Sequence, residues 1–151
     1  MRWAVLPGLA LVLVVGACAG THEAQPPLDG PVMRYPEAPS GGGGLDAEIR
    51  GRLVLEGDCL YLTVDELGER YPIVWPAGTT WDAEHTAVVS PTGAQMAVGR
   101  DVDGAGGYLG VADVERSLGP EAAALAARCL DNTYGEIAFV NNGDTAIAPT
   151  T

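Results

Sequence analysis

Alternation of apolar and polar positions begins at Ile49. Over 49–56, Ile49, Gly51, Leu53 and Leu55 fall on one face and Arg50, Arg52 and Glu56 on the other. That period of two marks a half-buried strand. Gly57-Asp58 supplies a turn, and CLYLTV follows at 59–64, so the spacing predicts a tight hairpin. DELGER at 65–70 reads as a polar turn and YPIVW at 71–75 as a third strand, with Pro72 at an edge or as its first paired residue. Pro76-Ala77-Gly78 turns the chain again. A short strand is expected at 86–89, a turn at Pro91-Thr92-Gly93, and a fifth strand from Gln95 to Val102 that Gly104, Gly106 and Gly107 break. Gly119-Pro120-Glu121 ahead of AAALAARCL reads as a helix start, with Pro120 at the first helical position. This helix is expected to run to about Leu130, before Asp131-Asn132. EIAFV at 136–140 is the last strand expected, and 142–151 reads as a flexible tail.

Five or six short strands at this spacing predict a mainly β domain over 49–141. The best fit is a small closed OB-like Greek-key barrel with one helix before the last strand. The alternative is a small open α+β sheet.

Upstream, residues 19–48 show no hydrophobic period. They contain Pro26, Pro27, Pro31, Pro36 and Pro39, then four glycines at 41–44. Such a stretch extends as polyproline II with a flexible joint, and about 30 residues reach roughly 30 Å. It reads as a tether that lifts the domain, with docking of Val32–Tyr35 on the domain as the alternative.

Residues 1–18 read MRWAVLPGLALVLVVGAC. Arg2 is the charged start of an export signal, and the uncharged stretch from Ala4 to Val15 is too short to span a bilayer comfortably. Val15-Gly16-Ala17-Cys18 resembles the lipobox of bacterial lipoproteins. That resemblance implies a signal peptide over 1–17, a diacylglycerol on the Cys18 thiol and cleavage before Cys18. Two acyl chains anchor stably where one binds only marginally. The expected address is the extracytoplasmic face of the cell membrane, with an ordinary secretory signal as the alternative.

Charge narrows the partners. The 151 residues hold eight Arg, no Lys and twenty acids, a net of −12. Without Arg2 the seven remaining Arg leave −13. Such a domain is repelled by nucleic acid and by anionic lipid surfaces, so the membrane contact is assigned to the lipid and no nucleic-acid partner is expected.

With Cys18 lipidated, Cys59 and Cys129 remain. An even pair in an exported domain reads as a disulfide, with two buried thiols as the alternative. CxxC spacing is absent, which argues against a redox-active pair. His85 is the one histidine after the tether, and Ser90 and Ser117 lack the GxSxG setting of a nucleophile. DVDGAGG at 101–107 starts like a calcium loop but carries Ala105 and Ala112 where ligands belong. It also lacks the Lys-Ser/Thr of a phosphate loop. No metal or cofactor is expected. The aromatic segment YPIVWPAGTTW at 71–81 holds Trp75 and Trp81, which either fill the core or form a ligand platform.

CLYL, then YPIVWPAGTTW, then VGRDVDGAGGY at 98–108, then a cysteine and a short strand, resembles a family of small actinobacterial secreted or lipid-anchored proteins. The match covers about residues 49–140. It implies a compact β domain with a Cys pair, and no catalytic residue. Two functions follow as expectations. One is a non-enzymatic binding or structural module of the envelope, with an envelope protein or glycan as partner. The other is an envelope-polymer hydrolase using paired carboxylates from Asp82, Glu84, Asp101 and Asp103. Two acids facing each other in a cleft distinguish the second from the first.

Overall fold

A computed structural model describes residues 27–35, 45–64, 68–141 and 147–150. The expected signal peptide at 1–17, Cys18, the expected tether positions 19–26 and 36–44, positions 65–67 of the expected turn, and tail positions 142–146 and 151 lie outside the described residues. The elements in chain order are β1 (Leu28–Asp29), β2 (Val32–Arg34), β3 (Ala47–Glu56), β4 (Cys59–Val64), β5 (Glu69–Trp75), β6 (Thr80–Asp82), β7 (Ala87–Val89), β8 (Gln95–Ala97), β9 (Asp101–Gly110), α1 (Val111–Leu118), α2 (Pro120–Cys129), β10 (Glu136–Val140) and β11 (Ala148–Pro149).

Five of these strands close a barrel in the order β5-β10-β9-β3-β4, with β4 pairing back onto β5. Numbered within the barrel alone, the order is 1-2-3-5-4-1, that of an OB-like Greek key. β5 and β10 run parallel, and the other barrel pairs are antiparallel. The β3–β4 hairpin turns through Gly57-Asp58 as expected, with Glu56 opposite Cys59. Pro72 sits opposite Tyr61 inside β5. Its missing N–H is tolerated because the ladder with β10 is registered only at Ile73 and Val74.

The barrel has two kinds of wall. In β3 and β9 one face packs inward and the other meets water, so Arg50 and Arg52 alternate with Ile49, Gly51 and Leu53. β4, β5 and β10 are buried on both faces. Leu60, Leu62, Ile73, Trp75, Ala138 and Val140 fill the interior. Tyr61, Val74, Ile137 and Phe139 face outward under Val114, Leu118, Ala122, Leu125 and Ala126 of the helices. This explains why YPIVW and EIAFV are nearly continuous apolar runs.

Three expectations about the elements need correction. A second helix, α1, precedes the expected one; Val114 and Leu118 at i,i+4 bury its inner face. Gly119 at φ 89° separates the two helices, and Pro120 starts α2. The expected strand 95–102 is divided: Gln95–Ala97 joins β6 and β7 in a separate three-stranded sheet. β9 then runs through the glycines that were expected to break a strand. Gly106 is required there because a Cβ would lie 2.0 Å from the Phe139 carbonyl oxygen, so the glycine lets two backbones approach closely.

The tether and tail assignments also differ. Residues 28–34 form a hairpin on the barrel, with Val32 and Met33 fully buried. Ala47 and Glu48 already belong to β3, and β11 pairs with β9 beside buried Ile147. Proline-rich composition misled here because Pro31 sits in a hairpin turn. Gly30 at φ 58° followed by Pro31 is the sign pattern a II′ turn needs.

Candidate functional site

The tryptophan end of the barrel carries a buried polar arrangement. Trp75 closes β5 and is 1 % exposed, so it fills the core and offers no face to a ligand. Its indole N–H has no hydrogen-bond partner among the described residues. Trp81, in β6, is half-buried against the same core. A Cβ on Gly30 would stand 3.1 Å from its ring, so the β1–β2 turn lies against the indole. The two tryptophans therefore do not form an open side-by-side platform, because the chain's own residues 28–34 occupy that end.

Arg34 ties this end together. It is 4 % exposed and donates from Nη1 to Asp29 Oδ2 at 3.0 Å and to the Thr79 carbonyl oxygen at 2.8 Å. Asp29 Oδ2 also accepts the Trp81 backbone N–H at 3.0 Å. A buried guanidinium with an ion pair and a carbonyl acceptor is largely compensated for its lost water. Next to it, the Tyr35 hydroxyl donates to the Val140 carbonyl. Burial pushes the Tyr35 pKa up to about 12. Sequence reading missed Asp29, Arg34 and Thr79 as a group. The available signal was the apolar Val32-Met33 pair beside a lone Arg in otherwise polar chain.

The acids proposed for hydrolysis do not converge in a cleft. Asp101 and Asp103 are two apart on β9, so about 7 Å separates them on one face. Each is taken by a cross-strand arginine. Arg52 Nε donates to Asp101 at 2.9 Å and Arg50 Nη2 to Asp103 at 2.8 Å, while Arg50 also pairs with Glu48. The result is an ion-pair ladder on the outer barrel wall. The Arg52 bond holds Asp101 below the usual carboxylate range, opposite to the upward shift a general acid needs.

Asp82 ends β6 and Glu84 lies in the β6–β7 turn instead. Asp82 accepts the N–H groups of Glu84 and His85, both at 3.1 Å, and His85 Nδ1 lies 2.8 Å from its other oxygen. These bonds, those to His85 foremost, lower the Asp82 pKa. The arrangement is a side-chain-closed turn. Ser90 lies just past the end of β7 that is away from the His85 turn. Its hydroxyl meets Thr92 and accepts the Ala94 N–H within a turn of its own. Ser117 is exposed on α1. No nucleophile–base pair therefore forms from these three.

Residues 101–107 are strand, and no group of three potential metal ligands occurs among the described residues. Cys59 and Cys129 are joined as a disulfide with their Cα atoms 5.5 Å apart. Beside it Arg70 pairs with Glu56 and Asp131 and stacks over Tyr61. An open, polar groove of about 400 Å³ is lined by Arg52, Gly99, Arg100, Asp101 and Thr150. Tyr134, 63 % exposed, is the one large apolar side chain standing in water among the described residues. No helix among them is long and apolar enough to cross a membrane. Comparison with protein-family models, curated proteins and solved structures finds no match.

Proposed function

We propose that the chain is a lipid-anchored protein of the extracytoplasmic membrane face, and that its barrel is a non-enzymatic binding or structural module of the cell envelope. The observation that carries this reading is the order of Arg2, the uncharged stretch 4–15 and Val15-Gly16-Ala17-Cys18. The Cys59–Cys129 bond supports the same address, since disulfides persist in oxidising compartments. The pairing of Asp101 and Asp103 with Arg52 and Arg50 supports a module over a hydrolase, and so does the occupied tryptophan end.

The test is metabolic labelling with a clickable fatty acid. Wild-type protein takes up label and fractionates with membranes, and protease added to spheroplasts digests it. Cys18→Ser takes up none and accumulates uncut. An unlabelled mature protein sinks the anchor. In a deletion strain, Asp101→Asn with Asp103→Asn restores any phenotype as well as wild type does. Loss of complementation by that stably folded pair sinks the non-enzymatic reading.

A further inference from the structure

We propose that residues 27–35 are a stowed length of tether, a clasp that holds the barrel close to the lipid anchor with its tryptophan end toward the bilayer. This rests on the anchor proposed at Cys18. The clasp itself stands on the contacts of β1 and β2.

β5 has two edges. β4 covers one along Glu69–Pro72, and β10 covers the other at Ile73 and Val74. β2 takes the end of the β4 edge, pairing Met33 with Val74 and Arg34 with Trp75 in parallel. Only these two pairs join β2 to the barrel sheet, and β1 pairs only with β2. Val32 and Met33 are buried in the two core clusters, and the attachment is completed by the Arg34–Asp29 pair, its bonds to Thr79 and Trp81, and Gly30 against the Trp81 ring. The barrel closes through β4, β5, β10, β9 and β3 without β1 or β2. A small unit attached at an edge opens at lower free energy than the closed core beneath it.

Chain length converts this clasp into a height. The Arg34 N–H donates to the Pro27 carbonyl at 2.8 Å, so the chain from Cys18 enters beside Trp75 and Trp81. Nine links separate Cys18 from Pro27, and at most about 3.5 Å per residue limits them to about 30 Å. With the clasp open, the folded part begins at Leu45. Twenty-seven links then reach about 95 Å by the same rule. The closed clasp therefore presents the tryptophan end to the membrane and the opposite end, where β5 and β10 begin, to the envelope. Opening it triples the available chain.

The experiment uses full-length lipidated protein in phosphatidylcholine vesicles that carry a dansyl-labelled lipid. Trp75 and Trp81 are the only tryptophans after the signal and act as donors. Wild type shows strong energy transfer. Arg34→Ala and Gly30→Val, with the disulfide intact and near-UV circular dichroism retained, lower it at least about twofold as the contour triples. Equal transfer in folded wild type and both variants overturns the height. Hydrogen exchange on the same proteins tests the clasp by itself. The Arg34 and Tyr35 amides, bonded to Pro27 and Trp75 carbonyls, exchange at least about tenfold faster in the variants. Wild-type amides exchanging as unprotected chain overturn the clasp whatever the anchor does. Protein that fails to float with the vesicles overturns the anchor and hence the height, and the exchange result then decides the clasp.

Discussion

Two side chains at opposite extremes of size set the tolerance of the barrel to change. Trp75 is the largest fully buried residue, and truncating a buried Trp costs about 3–5 kcal/mol. Trp75→Ala is therefore expected to lower the urea midpoint strongly, and Trp81→Ala, half-buried, clearly less. A ranking with Trp81 ahead would mean that the clasp, and not the interior, carries most of the aromatic packing. Gly106 is the small extreme. Gly106→Ala drives a Cβ against both the Phe139 carbonyl and Ile49. Backbone must move to admit it, so soluble yield is expected to fall sharply. A well-folded Gly106→Ala protein with an unchanged melting temperature would contradict the close approach of β9 to β10.

Between elements, the disulfide and the arginine ladder differ greatly in weight. Cys59 starts β4 and Cys129 ends α2, 70 residues later. Closing such a loop stabilises by roughly 4 kcal/mol in the chain-entropy model. Cys59→Ala with Cys129→Ala is expected to lose most of that in denaturant melts, with α2 exchanging first. The β3–β9 pairs are exposed and screened by solvent, so Asp101→Asn lowers the neutral-pH melting temperature only slightly, by what the wild type loses in acid. Its signature is in acid. Asp82 and Asp101 have lowered pKa values in the fold. Their contribution is complete above the ordinary carboxylate pKa of about 4 and disappears as pH falls through the lower folded values. Asp101→Asn should flatten that limb of a melting-temperature profile between about pH 5 and pH 2.

At the scale of the molecule, charge and tyrosine burial set the conditions it tolerates. Twenty acids against eight arginines leave a net of −12, and self-repulsion in a compact state is screened by salt. The melting temperature is expected to rise when sodium chloride goes from 10 mM to 500 mM, roughly the range over which the Debye length falls below 5 Å. A fall would show that the arginine pairs outweigh the excess of acid. The alkaline limit comes from Tyr35, whose pKa is pushed up to about 12 by burial. Burial raises Tyr108 in the same direction. A raised folded value stabilises fully below the unfolded pKa of about 10 and is lost as pH climbs to about 12. Tyr35→Phe is expected to move that unfolding limb upward.

The hairpin at 49–64, the helix after Pro120 and the closed β class were legible because each rests on local chemistry: alternation, a turn dipeptide, a proline at a helix start. The cysteine pairing was legible from parity and the expected address, and so was its tie between the strand at 59–64 and the end of the helix after Pro120. The role of the glycines at 104–107 was not. A glycine that ends a strand and one that admits a second backbone read alike until β10 lies beside β9. The docking of Val32–Tyr35 stood only as the alternative to a free tether for the same reason. Val32, Met33 and Arg34 are too few to show a period, and their partners Trp75, Thr79 and Trp81 lie more than forty positions away. The sequence alone determined what each segment prefers to become. Tertiary structure decided which residues are spent on packing and which remain at the surface, because only long-range contact tells a buried arginine from a solvated one.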